Sequence, residues 1–160
     1  MCHRGWDRLG RTPAREFGFG LGYAEWEYRS VELVDAASAE ADADDTGTPA
    51  AGARPAAVVR ATIANTSARD GREVVQLYLA ADPADAASDP DRPLRWLAGF
   101  AVVDVAAGGT ATVDLPIDRR AFETWSTDAA RFTLRPGAYR AHVGRSSRDL
   151  RLEIGVPIRG

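Results

Sequence analysis

The chain has 160 residues, enough for one domain with its own core, and 45% of them are apolar and 27% charged, as in ordinary globular proteins. A formal net charge of −3 argues against a nucleic-acid partner, and no apolar run approaches the roughly 20 residues that span a bilayer. The single cysteine, Cys2, excludes an internal disulfide, so we expect the core alone to hold the fold.

Residues 1–22 are rich in glycine and arginine and show no clean hydrophobic period, which predicts a connecting segment. Trp6, Phe17 and Phe19 are large apolar side chains in a stretch without a core of its own, so we expect them to dock on this domain or on another. The segment lacks the apolar centre of a secretory signal peptide, and we would expect a cytoplasmic location if the chain were complete.

A regular pattern of alternating side chains begins at Tyr23 and predicts the first strand. The alternation slips near Arg29 and Ser30, which indicates a β-bulge. Trp26 and Tyr28 fall on one face of this strand, and we expect both in the core.

Two polar stretches interrupt the strand patterns and are predicted to be flexible acidic loops. Residues 35–56 and 81–93 carry too little apolar surface to offset the entropy lost on ordering. Asp42, Asp44 and Asp45 lack the glycine and glutamate spacing of an EF-hand, so a solvated loop is favoured over a metal site.

The rest of the chain alternates between short strand patterns and turn signals. Pro116 predicts an edge strand or a strand end, Asp118 is placed to cap a short helical turn, and Pro136-Gly137 predicts a type II turn. Strands are predicted over residues 57–65, 73–79, 110–117, 131–134, 138–143 and 150–154, and a strand or strand pair over residues 94–105. Seven or eight short strands with turns between them predict an all-β fold, an immunoglobulin-like antiparallel β-sandwich.

Reactive side chains are few, and none is assigned a catalytic, cofactor-binding or metal-binding role. His142 alternates away from the core face, so we expect it to be exposed. A triad drawn from His142, Ser146 and Asp149 lacks a nucleophile elbow, and residues 144–147 are better interpreted as a hairpin turn. The glycines at 18–22 lack the preceding strand and following helix of a phosphate loop, so a tight turn is favoured.

Five separated segments carry more specific motifs. They are HRGWD at 3–7, FGFGLGY at 17–23, NT followed by GREVVQLY at 65–78, RPLRWLAGF at 92–100, and PGAY with GRSSRD at 136–149. In this order they resemble the fibronectin type III-like domain that closes family 3 glycoside hydrolases of the β-glucosidase and β-xylosidase type. Phe19, Gly22 and Trp96 depart from the residues common in that family.

The resemblance implies a fibronectin type III-like fold over residues 23–160, preceded by a linker at 1–22 from a catalytic domain that this chain does not encode. It implies a parent enzyme that hydrolyses glycosides with two carboxylates about 5 Å apart, both supplied by a (β/α)₈ barrel and an α/β domain. Those domains are the expected partners, in the same parent chain or separately encoded, and this chain would be a non-catalytic module that packs on them.

Five aromatic side chains are the candidate contacts to those domains or to a sugar ring: Trp6, Phe17, Phe19, Tyr23 and Trp96. Trp96 is the best candidate for an exposed contact, because relatives carry a polar residue there, but core packing is favoured over exposure. A free-standing carbohydrate-binding or adhesion module with a polysaccharide partner is the alternative function. A third candidate function is an independent small enzyme, and turnover of an aryl glycoside by the purified chain would reveal it.

Overall fold

The computed structural model describes residues 3–34, 55–83 and 92–159. Within them a short helix, α1 (His3–Arg8), precedes nine strands, and a 3₁₀ helix (Arg119–Phe122) follows the fifth strand. The strands are β1 (Trp26–Val34), β2 (Ala57–Asn65), β3 (Gly71–Ala81), β4 (Trp96–Val105), β5 (Thr110–Ile117), β6 (Glu123–Ser126), β7 (Arg131–Leu134), β8 (Gly137–Gly144) and β9 (Leu150–Ile158).

Two antiparallel sheets form the sandwich, as the alternating patterns predicted. One has the order β1-β2-β5 and the other the order β4-β3-β8-β9, while β6 and β7 form a separate two-stranded hairpin. Every strand pair is antiparallel. The described part of the chain therefore has the predicted all-β sandwich architecture, with one strand more than expected.

The core lies between the two sheets because both carry apolar residues at every second position. Their burial stabilises the fold by about 1.5–3 kcal/mol for each large side chain. The core between the sheets includes the fully buried Val59, Ala61 and Ile63 from β2 and Val75, Leu77 and Leu79 from β3.

Several local predictions are confirmed. The β1–β2 register shifts between Tyr28 and Ser30, which is the expected bulge, and Trp26 and Tyr28 are 7% and 8% exposed. Pro116 lies in β5, the edge strand of its sheet, where its missing N–H costs no ladder bond. The Asp118 side chain caps the 3₁₀ helix by accepting a hydrogen bond from Arg120 N.

Two local predictions are wrong. Pro136-Gly137 does not form a type II turn, because Gly137 opens β8 opposite Ile158 with a φ of 152°, far from the value near +80° that such a turn needs. His142 does face away from the core, but its side chain is only 17% exposed. Its Nδ1 lies 3.3 Å from a carboxylate oxygen of Glu153, and desolvation lowers its pKa.

Most of the two predicted acidic loops lies outside the described residues, and with them Asp42, Asp44 and Asp45. Within residues 3–34, 55–83 and 92–159, no group of three or more histidine, cysteine or acidic side chains is placed to hold a metal ion. None of the helices in these ranges has the length and apolar character needed to cross a membrane.

Candidate interdomain surface on the N-terminal segment

Helix α1 is tied to the turn between β8 and β9 by one ion pair. Arg148 Nη2 donates to Asp7 Oδ1 at 3.1 Å and to the carbonyl oxygen of Arg11 at 2.7 Å. The Asp7 side chain is 6% exposed, so this pair is shielded from water and screened less by salt than a surface pair. The first residues of the chain are therefore held against its last hairpin.

A second anchor uses the two serines of the same turn. Ser147 N donates to the carbonyl oxygen of Phe17 at 2.9 Å, and Ser146 Oγ donates to Glu16 Oε1 at 3.0 Å. Both serines are 2% exposed. The predicted hairpin turn at 144–147 is confirmed, and it also binds the N-terminal segment, a role that the sequence analysis missed.

Gln76 of β3 supplies the third anchor. Its Nε2 donates to the carbonyl oxygens of Gly18 and Arg145, at 3.0 and 2.5 Å, and its Oε1 accepts a hydrogen bond from Tyr78 Oη at 2.7 Å. Gly18 has a φ of 81° within a turn closed by a hydrogen bond from Phe19 N, which matches the predicted tight turn. Both polar atoms of the Gln76 side-chain amide are thus hydrogen-bonded within the protein.

A buried carboxylate lies beside this anchor. Glu73, 5% exposed, accepts hydrogen bonds from Arg145 Nε at 3.2 Å and from Tyr28 Oη at 3.3 Å. Desolvation raises the pKa of Glu73, and the Arg145 guanidinium opposes that rise. Burial also raises the pKa of Tyr28, so its hydroxyl stays protonated and donates. The cluster couples β1, β3 and the β8–β9 turn without offering a free nucleophile.

The outward side of the segment is apolar. We use the name apolar row for Phe17, Phe19, Leu21 and Tyr23, which are 48%, 41%, 90% and 91% exposed. Leu21 was not among the predicted contacts, although its position at every second residue between Phe19 and Tyr23 was a visible signal. One side of the segment is hydrogen-bonded to the sandwich, and its large apolar groups remain open to solvent.

The structure brings together only some of the predicted contact residues. Trp6 and Phe17 line a cavity of about 250 Å³ beside Arg148, and the Phe17 ring stacks on His3 at 4.6 Å. Phe19 and Tyr23 follow on the same segment. Their roles as interdomain or sugar contacts stay predictions.

Trp96, the best candidate for an exposed contact, is buried. It is 8% exposed, its Nε1 donates to the carbonyl oxygen of Ala121 at 3.0 Å, and its ring packs edge-on against Tyr139. The 3₁₀ helix supplies that carbonyl, 25 residues along the chain. Trp96 is thus a core residue whose polar atom is satisfied internally.

Comparisons with known proteins identify the domain. Residues 73–147 match the model of the fibronectin type III-like domain family. A probable β-glucosidase M of Neosartorya fischeri is 37% identical over 155 residues, which cover 94% of this chain. The chain belongs to the fibronectin type III-like domains of family 3 glycoside hydrolases. The β-glucosidase cel3A of Pyricularia oryzae is 36% identical over 98% of this domain.

Solved structures agree with this family. A GH3 β-glucosidase from Bifidobacterium adolescentis aligns with 98% of the domain at 31% identity and a TM-score of 0.77. A β-D-glucoside glucohydrolase from Trichoderma reesei aligns with 98% at 29% identity and a TM-score of 0.80.

The fibronectin type III-like domain spans only about a fifth of the length of these relatives. It corresponds to 19% of the Neosartorya fischeri protein, and to 20% and 22% of the two solved chains. It therefore matches the non-catalytic structural module of these enzymes. Glycoside hydrolysis needs a pair of carboxylates across a sugar-sized cleft, and the cluster around Glu73 offers one buried carboxylate.

Proposed function

We propose that this module packs on the catalytic domains of a β-glucosidase-type parent through the apolar row and stabilises them. The observation that carries the proposal is the contrast across the N-terminal segment. Its inner side is fixed by Ser147, Gln76 and Arg148, whereas Leu21 and Tyr23 on the outer side are about nine-tenths exposed.

The physical argument rests on the apolar surface left in water. Burying Leu21 and Tyr23 against a partner would contribute about 1.5–3 kcal/mol each. Because three anchors already order the segment, little further conformational entropy is lost when that surface is covered. If the catalytic domains directly precede this segment, as the resemblance implies, they reach the apolar row without a long linker.

The first test is the size of the native product. An immunoblot of the source cells with an antibody to this domain is expected to show a band several times larger than 17.2 kDa. A single band at 17.2 kDa would contradict the proposal that module and catalytic domains share one chain.

The second test addresses packing in that longer protein. Leu21→Ser with Tyr23→Ser is expected to lower the melting temperature of the catalytic domains and to raise their rate of proteolysis. Leu94→Ser is the matched control, because Leu94 is also exposed, at 59%, but lies outside the apolar row. Equal effects of the double variant and the control would overturn the assignment of this surface.

A further inference from the structure

A second exposed aromatic group lies on the β6–β7 hairpin. Trp125 and Phe132 are directly paired across the two strands and are 56% and 51% exposed. Their ring centroids are 5.3 Å apart and their planes meet at 78°. The two rings therefore form a corner, which we call the aromatic corner.

The aromatic corner includes two hydrogen-bond donors, the Arg120 guanidinium and the Trp125 indole N–H. The guanidinium carbon of Arg120 lies 5.5 Å from the centre of the Phe132 ring. Among the residues that the structure describes, neither this guanidinium nor Trp125 Nε1 has a hydrogen-bond partner. Both remain able to donate to a hydroxyl group of a ligand.

The aromatic corner is too small for a stable protein interface. Trp and Phe side chains bury about 150–250 Å² each when fully covered, so the half-exposed pair offers roughly 200 Å². A stable interface needs about 800 Å² on each partner. Asp128 in the turn and Arg131 at the start of β7 are exposed and charged. A small ligand suits this area better than a protein.

The chemistry of the aromatic corner favours a neutral, polyhydroxylated ring. The axial C–H groups of a β-glucopyranose pack on an aromatic face, while its equatorial hydroxyls lie at the rim, within reach of N–H donors. A nucleobase would also stack, but single-stranded nucleic acid requires a positive groove, and this chain has a net charge of −3.

We propose that the aromatic corner is a contact site for one pyranose ring of a β-linked gluco-oligosaccharide. The Trp125 face stacks on the ring, the Phe132 edge limits its position, and Arg120 donates to its hydroxyls. Because the Trp125 and Phe132 rings are nearly perpendicular, only one of them can stack parallel to a pyranose ring. A single stacked pyranose is expected to bind with millimolar affinity. This site lies on a different element from the apolar row and does not depend on it.

The test is a titration of the 160-residue chain with cellotetraose, followed by ¹H–¹⁵N NMR. The Trp125 indole N–H resonance, assigned by its loss in Trp125→Phe, is expected to shift and saturate with a millimolar dissociation constant. Trp125→Ala is expected to weaken binding about tenfold or more, measured on the remaining β6–β7 amides. Phe100→Ala, which removes an exposed aromatic residue of β4 outside both the aromatic corner and the apolar row, is expected to bind like the wild type.

Sorbitol is the matched ligand control, because it carries the hydroxyls of glucose without the ring face. Equal shifts with sorbitol and cellotetraose would overturn the proposal, and so would no shift at the highest soluble concentration of cellotetraose. A shift of the same indole resonance with protein concentration alone would assign the aromatic corner to self-association and would also overturn it.

Discussion

Gln76 and Gly18 approach each other so closely that only glycine fits at position 18. Gln76 Nε2 donates to the Gly18 carbonyl oxygen at 3.0 Å, and a Cβ added to Gly18 would lie 2.0 Å from Gln76 Oε1. The Gln76 side chain cannot simply move away, because it also bonds Arg145 and Tyr78 and is 5% exposed. The contact joins the N-terminal segment to the centre of the four-stranded sheet.

Gly18→Ala is therefore expected to destabilise the protein by about 1–3 kcal/mol, because it adds a steric clash to a φ of +81°. Gly20→Ala is the matched control, since a Cβ there would meet nothing within 4 Å. Urea unfolding of both variants measures the difference. Equal stability of the two variants would mean that the segment is not anchored at Gln76.

The contacts that anchor the N-terminal segment could not be predicted from the sequence. Alternation predicted the strands and the β-bulge, and the missing N–H of Pro116 predicted an edge strand or a strand end, because these features depend on local sequence. The two carbonyl oxygens that Gln76 binds lie 58 and 69 residues away, and the Arg148–Asp7 pair spans 141 residues. No local pattern signals such contacts. The aromatic corner was equally hidden, because its two residues become neighbours only when the hairpin forms.

Trp96 is 8% exposed and Trp125 is 56% exposed, so replacing them is expected to have different costs. Trp96→Ala is expected to cost about 3–5 kcal/mol, because it leaves a cavity beside Tyr139 and removes the partner of the Ala121 carbonyl. Trp125→Ala is expected to cost no more than about 1 kcal/mol, the size of a cross-strand pair. Denaturant unfolding compares them, and a larger loss for Trp125→Ala would contradict these placements.

Two cross-strand ion pairs with similar geometry are expected to differ in strength. Arg60 contacts both carboxylate oxygens of Asp114 at 2.7 and 2.8 Å, and the two side chains are 31% and 21% exposed. A double-mutant cycle to alanine is expected to give a coupling of about 1 kcal/mol that persists in salt.

The control pair is Arg72 and Asp104, with distances of 2.8 and 2.9 Å but side chains 69% and 68% exposed. Its coupling is expected to be smaller and to fall as salt screens the charges. If both cycles gave the same coupling and the same salt dependence, burial would not be what distinguishes the two pairs.

Glu73 is expected to make the stability of the domain depend on pH. Because burial holds its pKa in the folded protein above the ordinary value of 4.5, protonated Glu73 favours folding. The contribution of Glu73 to the free energy of unfolding is complete below pH 4.5 and is lost as pH rises through the pKa of Glu73 in the folded protein. The unfolding free energy of the wild type minus that of Glu73→Gln is therefore expected to fall with increasing pH above 4.5.

Asp104→Asn supplies a control of opposite sign. The hydrogen bond from Arg72 lowers the pKa of Asp104, so the contribution of this group is present above its ordinary value of 3.8 and is lost as pH falls through the folded pKa. The unfolding free energy of the wild type minus that of Asp104→Asn is thus expected to rise with pH. The rise is expected to be small, because solvent screens the exposed side chains of Arg72 and Asp104. Urea unfolding from pH 3 to pH 7 in about 0.1 M salt measures both differences. If the Glu73 difference also rose with pH, the bonds from Arg145 and Tyr28 would outweigh desolvation, and the buried cluster would favour the charged carboxylate.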